Sequence, residues 1–256
     1  MTEPLSKQEN PNANYRYLDL ITAVFITALL TSNLVASKQT TMFGITFGVG
    51  VLVFPISYIF GDILTEVYGY RRSRRVIWMG FASAALASLI FYLCVKAPPA
   101  KGFAHQDAFA LILGQMPFIL SASLVAYFAG EFCNSYVMAK MKIWSKGKHL
   151  WQRTIGSTIV GEGVDSLLFY PLAFGLFPML FGFNKAIWSV DMIVRVMIAN
   201  YFLKVLIEIL FTPITYALVN FLKKAELTDV YDYNTNFNPF KFDELKSSNP
   251  VESGSH

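Results

Sequence analysis

The hydrophobic positions of the chain fall into six long runs that are separated by short polar or charged stretches. A helix that crosses the hydrocarbon core of a bilayer needs about 20 mostly apolar residues, and each run has roughly that length or more. The pattern therefore predicts six transmembrane helices, over residues 18–36, 47–69, 76–95, 115–139, 155–176 and 192–222.

Prolines make the last two runs irregular. The sixth run is overlong and contains Pro213, which predicts either a kink or the point at which the helix approaches the membrane surface. Pro171 and Pro178 interrupt the segment 170–183, which predicts a broken end to the fifth helix or a short re-entrant piece. The course of the chain over residues 170–190 is left open at this stage.

The composition supports a membrane protein. The chain is 54% apolar and 15% charged, whereas about a quarter of the residues in soluble domains are charged, and its mean hydropathy is +0.45. This excludes a soluble or disordered chain. Having only Cys94 and Cys133 excludes a disulfide scaffold, and the polar residues 1–14 do not form a signal peptide, so a secreted protein is excluded as well.

The distribution of Lys and Arg predicts the orientation. Fifteen basic residues lie outside the runs on the side of both termini, and four, at positions 38, 96, 101 and 185, lie on the opposite side. Short cytoplasmic loops carry the basic excess, so both termini are predicted to be cytoplasmic. The net charge of +4 comes from these clusters at the ends of the runs, and no nucleic-acid partner is expected.

No repeat or long linker divides the chain. We expect a cytoplasmic N-terminal tail over residues 1–17, one six-helix membrane domain over 18–222, and a cytoplasmic C-terminal tail over 223–256. Residues 253–256 resemble a cloning remnant and are left out. The oligomeric state is open, with a homodimer as one option.

Ionisable residues inside the runs are the candidate functional positions, because each costs at least about 2.5 kcal/mol to insert at the centre of a bilayer. Helical spacing places several of them in pairs on one face. They are Asp62 with Glu66, Glu131, Glu162 with Asp165, Arg195, and Lys204 with Glu208.

These positions differ in the role that their surroundings predict. Lys204 and Glu208 are spaced for an intrahelical ion pair, and Arg195 is expected near the outer interface. Glu66 is close enough to Arg71 to extend towards the aqueous boundary. Glu162 and Asp165 have no basic partner on their own helix, which favours a functional role for both residues.

Enzyme chemistry is not expected. The three histidines, at positions 105, 149 and 256, lie outside the runs, so no helix-borne zinc site is predicted, and neither cysteine has a histidine nearby in sequence. We therefore expect no catalytic residues, no metal and no cofactor. The sequence predicts an acid-lined passage through a helical bundle.

Several segments resemble those of the queuosine precursor transporters, a family that belongs to the wider group of vitamin-uptake transporters. The resemblance extends over about residues 15–240. It rests on GDILTEVYGYR at 61–71, GEFCNSY at 130–136, RTIGST at 153–158 with GEGVDS at 161–166, KVLIE at 204–208 with TP at 212–213, and ELTDVYDY at 226–233.

The resemblance implies a multi-pass importer in the bacterial inner membrane for the cyano and aminomethyl 7-deazaguanine precursors that are salvaged for tRNA queuosine. It also implies an all-α six-helix bundle similar to the substrate-binding subunits of energy-coupling-factor transporters, working by alternating access without the ATPase module. The family's binding role is carried onto Asn33, Asp62, Glu66, Glu131, Asn134, Glu162, Asp165 and Lys204.

The chemistry of such a substrate agrees with these residues. A deazaguanine presents two adjacent N–H donors that one carboxylate can accept, and Glu162 with Asp165 is the expected recognition centre. Asn134, Ser166 or Lys204 would donate to its carbonyl, while Phe169 or Tyr170 would pack against its ring.

Alternatives remain from the sequence alone. The chain could import another small planar or cationic solute, or it could be a capture subunit that needs a partner ATPase. The choice between the cyano and aminomethyl precursors, and between proton-coupled and facilitated transport, is also open.

Overall fold

A computed structural model of the chain describes residues 15–36, 38–181, 188–233, 235–238 and 240. Its elements are α1 (Leu18–Val35), β1 (Gln39–Met42), β2 (Ile45–Gly48), a 3-10 turn (Val49–Leu52), α2 (Phe54–Tyr68), α3 (Tyr70–Lys96), α4 (Gln106–Leu113), α5 (Met116–Trp144), α6 (Leu150–Pro171), a π-helical segment (Leu172–Leu176), α7 (Phe177–Phe181) and α8 (Val190–Ala225).

The six predicted helices all have counterparts in this part of the chain. Six helical stretches in the described residues are long and apolar enough to cross a membrane. They pack in a bundle, with α5 against α6 and α6 against α8 as the most extensive contacts. The fold is thus an all-helical membrane bundle apart from one short hairpin.

The β1–β2 hairpin was not predicted, and the start assigned to the second helix is wrong. Residues 45–52 form β2 and the 3-10 turn, and α2 begins at Phe54 with Pro55 in its first turn. The two-residue turn has positive φ at both Phe43 and Gly44, as a tight hairpin requires. An apolar run alone cannot distinguish this arrangement from a longer helix. We call this end of the bundle the hairpin end.

A single residue joins α2 to α3, so the expected loop containing the arginines does not exist. Gly69 has φ of 84° and reverses the chain. Arg71, Arg72, Arg74 and Arg75 therefore lie in the first turns of α3. Arg74 is buried and donates hydrogen bonds to the carbonyl oxygens of residues 236 and 238, at 3.0 and 2.6 Å. We call this end, where residues 226–233 and 235–238 pack, the tail end.

The fifth helix was predicted to have a broken end or a re-entrant piece, but its helical backbone continues without a break to Phe181 and is irregular only after Pro171. The backbone continues from α6 at Pro171 into the π-helical segment and then α7, because proline supplies no N–H to the helical ladder. Residues 182–187 lie outside the described residues. In contrast, α8 continues without interruption past Pro213 to Ala225, and Thr215 and Val219 are buried beyond the proline.

Glycines bring α5 and α6 into close contact. A Cβ on Gly161 would lie 2.7 Å from the Asn134 Cβ and 2.9 Å from the Gly130 carbonyl oxygen. A Cβ on Gly130 would lie 2.8 Å from the Gly161 carbonyl oxygen. Small residues at membrane helix interfaces allow this approach, and the contact fixes the position of the carboxylates on both helices.

Gly161→Ala is expected to destabilise the protein by about 1–3 kcal/mol, because overfilling a packed contact forces the backbones apart. Thermal unfolding in detergent measures the effect. Gly163→Ala on the same helix is the matched control, since among the described residues its Cβ would meet only Tyr201, at 3.8 Å. Equal unfolding temperatures for the two variants would show that the α5–α6 contact is not tight.

Candidate functional site

A small hollow lies inside the bundle towards the hairpin end. Its lining residues come from α1 and its C-cap, β2, the 3-10 turn, α2, α5, α6, the π-helical segment and α8. They are Ser32, Asn33, Ala36, Gly48, Gly50, Val51, Phe54, Ser123, Asp165, Phe169, Tyr170, Phe174, Asn200 and Lys204.

Lys204 is the electrostatic centre of this hollow. Its ammonium lies 2.7 Å from Glu162 Oε2 and 2.7 Å from Asp165 Oδ2, and all three side chains are buried. It also lies 4.1 Å from the centre of the Phe54 ring, a cation–π contact. The intrahelical pair of Lys204 with Glu208 is thus wrong, because two carboxylates on α6 reach across to the same ammonium.

Aromatic and amide groups surround this ion pair. The Asn200 amide donates a hydrogen bond to the Tyr170 hydroxyl, and both side chains are buried. The Asn200 Oδ1 atom has no hydrogen-bond partner among the described residues, so a buried acceptor is left available at the cavity. Phe169 packs edge-on against Tyr170 at 5.1 Å between ring centres. The cavity therefore combines flat apolar faces with a few polar groups.

Five of the predicted binding residues line the hollow, and Glu162 joins them through Lys204. The five are Asn33, Asp165, Phe169, Tyr170 and Lys204. The side-chain amide of Asn33 donates to the Leu29 carbonyl oxygen at 2.7 Å. Ser166, which follows Asp165 in the sequence, is buried but does not line the cavity. Its hydroxyl has no hydrogen-bond partner within the described part of the chain.

Three further predicted residues are buried but do not line the hollow. Asn134 on α5 donates to Asp62 Oδ1 on α2 at 2.7 Å. The Glu131 carboxylate lies against Gly61, so closely that any Cβ there would collide with it. Asp62, Glu131 and Asn134 are fully buried and therefore form a polar group of their own.

Nine of the fourteen lining residues were not predicted as binding residues, among them Phe54, Phe174 and Ser123. Phe54 stands at the start of α2, where helical periodicity carries no signal, and Phe174 lies in the π-helical segment. Ser123 is a serine in an apolar run, a residue type that usually fastens membrane helices together. Asn200 and Ser32 were recognisable as polar positions, but nothing in the sequence indicated that they face a cavity.

Glu66 lies in a different cluster at the tail end, and the expectation that it extends to the aqueous boundary near Arg71 is wrong. It is fully buried, and its Oε1 atom lies 2.7 Å from Arg153 Nη2 and 2.6 Å from Lys223 Nζ. Lys142 Nζ lies 3.7 Å from the same oxygen and donates to the Glu66 carbonyl oxygen at 2.7 Å. The cations come from α5, α6 and α8, so sequence spacing gave no sign of them.

The polypeptide after α8 covers this cluster. Lys142 donates to the Val230 carbonyl oxygen at 2.6 Å and to Asp229 Oδ1 at 2.8 Å. Burial alone would raise the pKa of the Asp229 carboxyl, but Lys142 and Lys223 outweigh it and hold that pKa below its usual value. Asp232 accepts hydrogen bonds from the backbone N–H of Tyr70 at 3.2 Å. Ion pairs and the following chain thus fill the bundle at the tail end.

Comparison with known proteins gives two kinds of match. A family model described as putative vitamin uptake transporter matches residues 48–218. The chain is similar to the probable queuosine precursor transporter of Bacillus subtilis (strain 168), with 26% identity over 192 residues that cover 74% of this chain and 79% of that protein. It is 24% identical to the queuosine precursor transporter of Escherichia coli (strain K12) over 221 residues, which cover 86% of this chain and 94% of that protein. No solved structure matches the chain.

Proposed function

Because the chain belongs to the putative vitamin uptake transporter family, we propose that it imports the cyano and aminomethyl 7-deazaguanine precursors of queuosine across the bacterial inner membrane. The names of its two relatives support this substrate class. The observation that carries the proposal is the buried Asp165–Lys204 pair in an aromatic cavity, because this pair offers an acceptor and a donor to the edge of a flat base.

Recognition would use the polar edge of the base. The Asp165 carboxylate accepts the ring N1–H and the exocyclic amine, while the Lys204 ammonium donates to the adjacent carbonyl. The ring packs against aromatic side chains of the lining, for which Tyr170 on α6 and Phe54 on α2 are available. The unpaired Asn200 Oδ1 accepts a further N–H of the base.

Glu162 would extend the range of substrates. The aminomethyl precursor carries a positive charge that the cyano precursor lacks. Glu162 already shares Lys204 with Asp165, so the site holds two carboxylates for one ammonium. An added cation balances this excess of negative charge, and the aminomethyl precursor is therefore expected to bind through Glu162 as well.

Transport would proceed by alternating access, with both termini in the cytoplasm and the hairpin end facing outside. The cavity lies towards the hairpin end, and ion pairs fill the tail end. Opening at the tail end would release the base to the cytoplasm. The bundle would resemble the substrate-binding subunits of energy-coupling-factor transporters but work without an ATPase.

Uptake of labelled 7-cyano-7-deazaguanine by liposomes that contain only this protein tests the function. We expect saturable uptake that excess unlabelled 7-aminomethyl-7-deazaguanine suppresses and that adenine does not. Binding without uptake would instead indicate a capture subunit that needs a partner ATPase. Suppression by unrelated planar or cationic solutes to the same degree would indicate a transporter of different specificity.

A further inference from the structure

Three buried carboxyl groups form a cluster that the proposed recognition of substrate does not use. They are Asp62 on α2, Glu131 on α5 and Glu208 on α8, and each is at most 1% exposed. Electrostatic interactions link Asp62 with both Glu131 and Glu208. Glu131 in turn interacts with Glu162 and Asp165, which connects the cluster to the cavity.

Most oxygen atoms of this cluster have no partner within the described residues. Both carboxylate oxygens of Glu208 lack a hydrogen bond, as do Asp62 Oδ2 and Glu131 Oε2. The Asn134 amide donates to the other oxygen of Asp62, while its own Oδ1 has no partner. Buried acceptors without donors are costly, and a bound proton on a carboxyl group converts one acceptor into a donor.

The neighbouring cations are engaged elsewhere. Lys204, one turn from Glu208, is bound by Glu162 and Asp165. Arg153 and Lys223 contact Glu66, and Lys142 contacts Glu66 and Asp229. Among the described residues, Glu66 and the neutral hydroxyls of Tyr58 and Tyr127 also interact with the cluster.

Charge balance then decides the state of the cluster. Glu162 and Asp165 exceed the single charge of Lys204, so this side adds negative charge next to the cluster. Like charges that share a buried site cannot all remain ionised, and the low polarity of the bilayer strengthens their repulsion.

We propose that Asp62, Glu131 and Glu208 form a proton-binding site, distinct from the substrate cavity, that holds at least one proton at neutral pH and couples import to proton entry. The binding of the proton follows from the cluster itself, whereas its coupling to import rests on the proposed function. The proton enters from water at the hairpin end, binds one carboxylate and neutralises it. It leaves to water at the tail end when that end opens.

Infrared spectroscopy of the protein in lipid tests the site without any substrate. A protonated carboxyl group gives a carbonyl stretching band that shifts in heavy water. We expect this band at pH 7 in the unchanged protein and a loss of intensity in Glu208→Gln and Asp62→Asn. Asp191→Asn, which removes an exposed carboxylate at the start of α8, is the matched control and should leave the band unchanged. Absence of the band from the unchanged protein would overturn the proposal.

Liposome uptake of 7-cyano-7-deazaguanine tests the coupling. With the membrane potential held at zero, an inward proton gradient of about one pH unit should give about tenfold accumulation if one proton enters with each base, because a tenfold gradient corresponds to about 1.4 kcal/mol. Glu208→Gln should reduce this to simple equilibration, and Asp191→Asn should accumulate normally. Uptake that is independent of the proton gradient, or that depends on a sodium gradient instead, would refute the coupling. Complete absence of uptake by the unchanged protein would contradict the proposed function, and the infrared band would still decide the proton site.

Discussion

Asp165→Asn is expected to weaken binding of 7-cyano-7-deazaguanine by about 10- to 100-fold. Hydrogen bonds to a charged group contribute about 1.5–3 kcal/mol each, and 1.4 kcal/mol corresponds to a factor of ten in affinity. The neutral amide has one oxygen to offer, and its N–H₂ group would face the N–H donors of the base. Equilibrium binding of the labelled base to purified protein measures the change.

The fold should survive this substitution. Lys204 keeps its 2.7 Å contact with Glu162 when Asp165 is neutral, so the ammonium is not left without a carboxylate. Asp191→Asn on α8 is the control, because Asp191 is exposed and pairs only with Arg195 in the described structure. If Asp165→Asn unfolds at the temperature of the unchanged protein and binds the base equally well, Asp165 does not contact the substrate.

Glu66→Ala is expected to have the largest effect on stability, with a loss of about 3–5 kcal/mol. This is the usual cost of removing one member of a buried ion pair, because the partner is left as an uncompensated buried charge. Glu66 is fully buried, and Arg153 and Lys223 both contact its carboxylate. Reversible unfolding in mixed detergent measures the loss.

Arg195→Ala is the control for this prediction. Arg195 Nε lies 2.8 Å from Asp191 Oδ2, a distance similar to those in the ion pairs of Glu66. The side chains of Arg195 and Asp191 are 77% and 71% exposed, however. Water solvates an exposed pair almost equally well in the unfolded state, so its removal should change stability very little. A similar loss of stability in both variants would mean that burial does not increase the contribution of the Glu66 ion pairs to stability.

The helices could be predicted because they obey one strong requirement. Each needs about 20 apolar residues to cross the bilayer, and such runs are visible without knowledge of the fold. The β1–β2 hairpin escaped prediction because residues 45–52 are as apolar as a helix. Its positive-φ turn at Phe43 uses a residue type that does not usually mark a turn.

Five of the eleven predicted binding residues line the cavity, and the pairings between helices were not predicted. Buried ionisable groups are costly, so their positions could be identified one by one. Sequence spacing shows only partners on the same helix, and for this reason Lys204 was matched with Glu208. The bundle instead brings Glu162 and Asp165 to Lys204, and Arg153 to Glu66. Contacts between helices depend on how the helices rotate and cross, which spacing along one helix does not specify.

An experimental structure with bound 7-cyano-7-deazaguanine tests the central claim most directly, since it locates the base itself. We predict density for a flat ring at the hairpin end of the bundle, with its N–H edge within hydrogen-bond distance of Asp165 and its carbonyl next to Lys204. Density for the base at another place, with Asp165 and Lys204 still locked together beside a closed cavity, would contradict the account.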